Sequence, residues 1–529
     1  MAPADRQDTD SGKHASLSDP KVSVMEARRA ARWLATAAVA VALSACAVGP
    51  DYRKPTMDLP LAFKEGANWQ RAEANPQASL SSSWWLDYHD ATLTDLIERS
   101  QRANQSIAQA EAAYRLALAT VMADRASLFP TVGANLSGTR SGSGANAASS
   151  GSSQAGVSNL ASTSLTASWE LDLWGSVRRQ IESSKASAQA SDAQLAGERL
   201  SIAASLAIDY LELRQADMDI DLLTQQRRID ERILEMTRRG FALGTSSNDD
   251  VLNAQDTLEL VIASLQSTRI TREQDEHAIA VLVGVAPGGF SIEPRPDYAF
   301  ALPAVPLALP SQLLERRYDV VSAERTAAAA NAKIGVAEAA FFPTLTLSAE
   351  GGFQHNTLAN LFTVPSRFWT LGPTLAATIF DGGARTAAVR EARATYDEDV
   401  ASYRQTVLGA FQNVEDSLSS LNHLQDQARS YAGIYRRNQQ LFDSASAQQR
   451  IGTASEQDLL TQQLTLIQAR QNLEDTRALL SQGSVSLIRN LGGGWQWDDV
   501  HATDDAHGTQ QLGSSTRPEP ASAASTGLE

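Results

Sequence analysis

Two stretches carry the residues best placed for chemistry in this chain. Gly244-Thr245-Ser246-Ser247-Asn248-Asp249-Asp250-Val251-Leu252 and Gly452-Thr453-Ala454-Ser455-Glu456-Gln457-Asp458-Leu459-Leu460 share the pattern Gly-Thr-x-Ser-x-x-Asp followed by two apolar residues. A Ser with an acid three residues later has the spacing of a capping box, in which the hydroxyl accepts from the third backbone N–H and the acid reaches back. The Gly fits the left-handed position that ends an incoming helix. The chemistry available is therefore hydrogen bonding and fixed negative charge at a turn, with Asp250 and Asp458 as carriers. Catalysis finds no support: no nucleophile stands with a base, no acids form a recognisable catalytic pair, and the seven His have no metal-ligand spacing. No Gly-rich phosphate loop is present, so nothing here points to ATP.

The two motifs lie 208 positions apart, and the same offset carries Gly284, in Val-Leu-Val-Gly, onto Gly492, in Arg-Asn-Leu-Gly. Phe129-Pro130-Thr131 recurs as Phe342-Pro343-Thr344 at an offset of 213. The chain of 529 residues reads as two copies of one unit, and this whole-length repeat governs the reading of every local motif. Lys and Arg number 45 against 61 Asp and Glu, a net charge of −16 with no basic block, which disfavours a nucleic-acid partner.

A single Cys excludes internal disulfides, and its setting explains its presence. Arg28, Arg29 and Arg32 precede an apolar run from Trp33 to Leu43, which leads into Leu43-Ser44-Ala45-Cys46. That is a basic n-region, a stretch too short to span a bilayer comfortably, and a small-residue cleavage site. It resembles a bacterial lipobox, which implies cleavage before Cys46 and acylation of its thiol. Ala47 rather than Asp follows, which by the same resemblance favours the outer membrane. Residues 1 to 24 are polar, so Met25 is an alternative start.

The elements that must position these residues follow from proline and periodicity. No Pro occurs from Gly175 to Ala286 or from Thr374 to Arg517, which permits very long helices. Val389, Tyr396, Val400, Tyr403, Val407, Phe411, Val414, Leu418 and Leu421 form a lengthwise seam, and Leu195, Ile202, Leu206, Leu213 and Ile220 form another. Runs over Val177 to Arg239 and Ala384 to Gln449 would reach roughly 95 to 100 Å at 1.5 Å per residue. Each meets a Gly-Thr motif and returns as a shorter helix, near 248 to 283 and 455 to 491.

Four stretches have the other period. Leu165, Ala167, Trp169 and Leu171 alternate with Thr166, Ser168 and Glu170, and similar alternation marks the residues after Thr131, Thr344 and Trp369. Each half thus holds a strand pair, 131–139 with 164–174 and 344–354 with 369–380. The strands are about ten residues long, the length that crosses a bilayer when tilted. The Ser- and Gly-rich segment from Arg140 to Ser162 reads as an exposed loop. Four strands cannot close a barrel and open edges are not tolerated in lipid, so a spanning role requires several chains.

The predicted organisation is a leader and signal peptide (1–45), an acylated segment with an equatorial region (46–90), a first repeat (91–290), a linker (291–310), a second repeat (311–495) and a disordered tail (496–529).

Cys46-Ala47-Val48-Gly49-Pro50-Asp51-Tyr52-Arg53-Lys54-Pro55, Ser83-Trp84-Trp85, Trp169-Glu170-Leu171-Asp172-Leu173-Trp174-Gly175, Leu282-Val283-Gly284 with Pro287-Gly288, and Leu309-Pro310-Ser311 with Leu314-Glu315-Arg316-Arg317-Tyr318-Asp319 stand in a telling order. In these residues the chain resembles the outer membrane efflux factors, the channel-tunnels of tripartite efflux pumps, and within them the lipoprotein drug-efflux outlets. The family usually has Pro where Tyr318 stands. The resemblance implies an α+β membrane protein: a homotrimer whose four strands per chain complete one 12-stranded transmembrane β-barrel, with the long helices forming a periplasmic α-helical barrel closed at its tip. It implies a periplasmic adaptor and an inner-membrane pump as partners, outer-membrane lipid around the barrel, and no cofactor beyond the lipid on Cys46.

By the same resemblance, Leu243-Gly244-Thr245 and Ile451-Gly452-Thr453 match the tip triplets that meet the adaptor, a reading compatible with a purely structural turn. Asp458 matches the acid that rings the periplasmic entrance, where three copies would constrict the pore and attract cations. Thr461 stands where relatives often carry a second acid, and Ala454 and Gln449 stand where some carry tethering Arg and Tyr. Arg238, Arg239 and Arg450 are candidates to pair with Asp249 or Asp250 as a different lock, or else form a solvated cluster. Glu170, Asp172 and Glu350 fall on polar strand faces and are expected to look into the lumen, unless they sit at the barrel's wet ends. Trp169, Trp174 and Trp369 are expected either in an interfacial belt or in helix-to-strand packing, and Trp84 and Trp85 in the equatorial packing.

The function expected is a passive outer-membrane exit duct for small toxic or amphiphilic compounds. Alternatives are the outlet of a type I protein secretion system, and a pore-free periplasmic coiled-coil scaffold.

Overall fold

The computed structural model describes residues 47–58, 63–67, 83–143, 156–303, 305 and 317–494. Cys46, the leader and the tail fall outside these. In chain order the elements are α1 (Ala91–Ala103), α2 (Gln105–Ala126), β1 (Thr131–Ser143), β2 (Gly156–Leu171), α3 (Ser176–Ala242), α4 (Asn248–Val283), α5 (Tyr318–Ala339), β3 (Thr344–His355), β4 (Arg367–Ala376), α6 (Ala384–Arg450) and α7 (Glu456–Asn490). Helices α3 and α6 each run 67 residues, about 100 Å at the α-helical rise. No described helix is long and apolar enough to cross a membrane.

The chain forms two compact units. One holds the sheet, residues 47–51 and the helix ends that meet it, Asp124–Ile181 and Ala332–Arg390. The sheet has the order β1-β2-β3-β4, antiparallel throughout, with β1 and β4 as open edges. Pro373, which cannot donate to a ladder, sits in edge strand β4.

The strands of the first hairpin reach further into the Ser- and Gly-rich segment than their alternation suggests. Ser137 pairs with Ser162 at 2.8 Å and Ser141 with Ser158 at 2.7 Å, so cross-strand hydroxyl bonds take the place of apolar contacts. At its other end β2 stops at Leu171, short of the predicted 174. Asp172 turns away and accepts from the Val177 and Arg178 amides at 3.1 and 3.0 Å, starting α3. Trp174 donates to the Pro343 carbonyl at 2.7 Å and stacks on Phe342, and Trp169 donates to the Leu128 carbonyl at 3.0 Å. Both indoles therefore tie strands to the adjoining helix ends. The segment after Cys46 is pinned at the same place. The Val48 amide donates to the Trp174 carbonyl, and Gly49, at φ +102°, lies so close to Gly335 that a Cβ would stand 2.4 Å from its Cα.

The other unit is helical. Asp90 caps α1 through bonds from the Thr92 and Leu93 amides, and Asn104 breaks α1 from α2 by capping the latter through Ser106 and Ile107. Its core joins Leu206, Tyr210 and Leu213 of α3 to Leu93 and Ile97 of α1, Val414 and Leu418 of α6, and Leu487 of α7, with Trp84 wholly buried among them. Tyr318, where the resemblance leads one to expect Pro, lies against Gly197, where any Cβ would meet its ring at 2.2 Å. Buried Arg214 and Asp217 pair at 2.9 Å, Arg272 joins Asp217 at 2.6 Å, and both arginines hold linker carbonyls, Glu293 and Ile292. Charges so far from water persist because each has a partner.

Candidate functional site

The two Gly-Thr motifs form the same turn. Gly244 and Gly452 take φ +75° and +80°, a left-handed conformation that strains any residue with a Cβ. Thr245 closes on the Gly240 carbonyl through its amide at 2.8 Å and its hydroxyl at 3.1 Å; Thr453 closes on that of Gln448 at 2.9 and 3.1 Å. Ser247 with Asp250 and Ser455 with Asp458 complete reciprocal capping boxes at the starts of α4 and α7. Leu243 and Ile451 are 80% and 75% exposed, an apolar knob beside each turn.

These bonds define the electrostatics of the acids. The bond from the Ser247 amide, then that from its hydroxyl, holds Asp250 below the usual carboxylate range; for Asp458 the Ser455 hydroxyl leads and the amide follows. Among the described residues, no ion pair joins Arg238, Arg239 or Arg450 to Asp249 or Asp250, and Oδ2 of Asp250 is taken by its own cap. Arg239 pairs with Glu235, and Arg450 donates from Nε to the Ser446 carbonyl one turn back. The pair that joins the two halves here is Arg232 of α3 with Glu456 of α7, at 2.8 Å, with Glu235 also bound to Arg232 at 2.7 Å. Sequence reasoning missed it because Arg232 lies three turns before the tip, among many exposed charges.

A second set of acids lies between helices further along. Gln471 donates to Asp219 at 3.1 Å, and Gln215 donates to Asp475 at 2.9 Å, linking α3 to α7. Burial, then the Asp475 charge, pushes Asp219 up to about 7. Burial raises Asp209 to about 6, with Glu212 adding to it, and Asp275 of α4 to about 7, with the Glu212 and Asp209 charges adding.

The sheet sorts its residues by face. Opposed residues in an antiparallel ladder share a face. The pairs Val132↔Ala167, Ala167↔Ala349 and Ala349↔Leu371 thus place one apolar row across all four strands. Ala134, Leu165, Gly351 and Trp369 make the next row, and Val132, Leu165, Trp369 and Leu371 are all exposed. Thr166↔Glu350 and Glu170↔Thr346 lie on the opposite face, with Ser168, Ser348, Thr370 and Thr374. Glu170 and Glu350 therefore share the polar face. Asp172 does not: it lies past the strand, where its carboxylate holds the first turn of α3 and Arg178 at 3.1 Å.

A sheet with one exposed apolar face, one face of hydroxyls and carboxylates, and two open edges belongs with hairpins of helices about 100 Å long. The outer membrane efflux protein profile matches residues 96–285 and 309–493. The chain is similar to the probable efflux pump outer membrane protein TtgC of Pseudomonas putida, 31% identical over 89% of this chain and 98% of that protein. It is similar also to the pyoverdine export outer membrane protein OpmQ of Pseudomonas aeruginosa, 30% identical over 81% of this chain and 90% of the other. Among solved structures, the outer-membrane channel OprN is 30% identical and superposes with a TM-score of 0.76, covering 85% of this chain and 100% of that one. The Campylobacter jejuni CmeC outer membrane channel, at 22% identity, shares the fold with a TM-score of 0.78, over 88% of this chain and 99% of its own. The chain belongs to the outer membrane efflux protein family, the outer-membrane exit ducts of tripartite efflux systems.

Proposed function

We propose that three copies of this chain build one passive duct, anchored by lipid on Cys46, that carries small toxic or amphiphilic compounds outward from a pump. The sheet carries this reading. Its four strands leave two unpaired edges and an exposed apolar face, and a bilayer tolerates neither open edges nor fewer than about eight strands in a closed barrel. Three sheets joined β4 to β1 give twelve strands, with Glu170 and Glu350 lining a cation-favouring lumen and the apolar rows facing lipid. The anchor is supported by the position of Ala47, which lies against Gly175 where the strands meet the helices. An acyl chain on the preceding residue would enter the adjoining leaflet, and several chains suffice for a stable hold.

The exposed triplets Leu243-Gly244-Thr245 and Ile451-Gly452-Thr453 are the docking points for a periplasmic adaptor, since a rigid turn that presents an apolar side chain needs little ordering on binding. Asp250, Asp458 and Arg450 lie at the same end and set the charge of the entrance. The relatives named for toluene, antibiotic and pyoverdine export support a small-molecule cargo.

The test has two parts. Purified protein in planar bilayers is expected to give cation-preferring channels, and cells lacking the gene to accumulate a fluorescent amphiphilic dye until it is restored. Conductance without any effect on dye, in cells with the pump present and no redundant duct, would transfer the duct to secreted proteins; absence of conductance would leave a scaffold. Cys46→Ser is expected to abolish palmitate labelling.

A further inference from the structure

The sheet's apolar face ends in cations. Along β2 that face runs from Leu171 to Thr163, a rise of eight residue steps, or about 26 Å along the strand and about 20 Å along the membrane normal at a tilt near 40°. At the far limit the row reads Leu136, Thr163, Phe353, Arg367. One step beyond stands His355, opposite Ala161, its Nδ1 accepting from the Thr357 amide at 3.0 Å, and another step beyond stands Arg140, opposite Asn159. Arg140 and Arg367 are exposed. No Asp or Glu occurs between Arg125 and Glu170 or between Glu350 and Asp381, although the chain has 61 of them. This end of the sheet is cationic in a chain of net charge −16.

The loop joining β3 to β4 adds an apolar surface at the same level. Hydrogen bonds from the Thr363 and Ser366 hydroxyls to the Asn360 carbonyl, at 2.7 and 2.9 Å, shape it. Phe362 folds back onto Phe353, ring centroids 5.7 Å apart, so the loop leans toward the apolar face and not toward the carboxylates of the other. Leu358, Phe362 and Val364 remain exposed.

We infer that Arg140, Arg367 and the Leu358–Val364 loop form a binding site for a phosphate-bearing lipid of the outer leaflet. This rests on the barrel reading above. The apolar loop continues the lipid-facing surface and would pack against acyl chains, and the guanidinium groups stand where head-group phosphates lie, which Arg meets with paired N–H donors. In a barrel joined β4 to β1, Arg367 of one copy and Arg140 of the next lie on adjacent strands, so the site falls at the seam between chains. The bound lipid would bridge them.

The experiment places the purified full-length channel in mixed micelles with diphosphoryl lipid A or with phosphatidylethanolamine, and counts retained lipid by native mass spectrometry. Wild type is expected to retain lipid A in preference to the zwitterionic lipid, and an excess of inorganic phosphate to leave it in place. The double variant Arg140→Gln/Arg367→Gln should retain roughly thirty-fold less, given about 1 kcal/mol for each of the two cations near an anionic lipid surface. Arg367→Lys should keep part of the binding, and Leu358→Ser/Phe362→Ser should lose it with both cations present. Equal retention by the Gln variant, equal retention of both lipids, or displacement by phosphate alone would overturn the site. A wild-type channel that conducts but holds no lipid A removes this inference only; one that conducts nothing removes the barrel reading as well.

Discussion

Arg232 on α3 clasps Glu456, the first helical residue of α7, through Nε to Oε1 at 2.8 Å and Nη2 to Oε2 at 3.1 Å. The residues are 224 apart in sequence, and the pair holds one repeat's long helix to the start of the other's returning helix. Fork-on-carboxylate geometry makes this stronger than a single contact, though both side chains remain exposed to solvent and salt.

Arg232→Gln or Glu456→Gln should loosen the tips and raise the open probability of the isolated channel by roughly two- to five-fold, the modest scale of an exposed pair. The Arg232 bonds hold Glu456 below its ordinary range. A depressed acid stabilises above its unfolded value and loses that contribution as pH falls through the folded one, so the clasp should persist at neutral pH and fail only in acid. Single-channel recording of both variants at two salt concentrations checks this; identical gating at low salt would mean the pair holds nothing.

Asp458 serves two roles that different substitutions separate. Asp458→Asn removes charge but keeps an oxygen for the Ser455 amide, and Ser455→Ala removes the cap but keeps the charge. Cation selectivity should fall in Asp458→Asn, conductance should rise in Asp458→Ala, and Ser455→Ala should weaken the hairpin by about 1 kcal/mol with selectivity kept. Reversal potentials and hydrogen exchange over Ser455–Leu464 measure the two effects. Unchanged conductance and selectivity in Asp458→Ala would remove that residue from the gate.

The acids between helices predict a pH dependence of opposite sign to that of the clasp. Burial has raised Asp209 to about 6 and Asp219 and Asp275 to about 7, so between about pH 4 and 7 the folded state holds more protons than the unfolded one. Stability should therefore rise as pH falls from 7.5 to 5. Asp219→Asn should raise Tm at pH 7.5 by about 1–3 °C and flatten that trend. Thermal scans in detergent across this range decide it, and a Tm that falls steadily from pH 7.5 to 5 would contradict the assignment.

Sheet faces can be tested by adjacent residues of β4. Leu371→Arg places a cation on the apolar face at a cost of about 2–4 kcal/mol near mid-depth, and should prevent stable assembly. Thr370→Arg places it opposite Glu350, and should assemble while losing cation preference. Heat-resistant oligomer on gels, followed by reversal potentials, distinguishes the two; tolerance of both would argue against a lipid-facing surface.

Much of this protein was legible in residue order because the responsible forces are local. Left-handed Gly and a Ser-x-x-Asp box mark both tips, alternation marks β2 and β3, and long proline-free seams mark α3 and α6. The amino-acid sequence alone also placed Glu170 and Glu350 on polar strand positions. Only the tertiary structure decided the rest. Asp172 continues the alternation of β2, yet an unsatisfied helix start competes for its carboxylate and wins. Arg232 finds Glu456, and Asp219 meets Asp475, because folding brings distant helices side by side, and no local period records which charges then face one another. Face parity needed the register as well: Thr166 opposite Glu350 and Phe362 folded onto Phe353 are consequences of strand pairing and loop closure, which fix direction only once partner strands are in place.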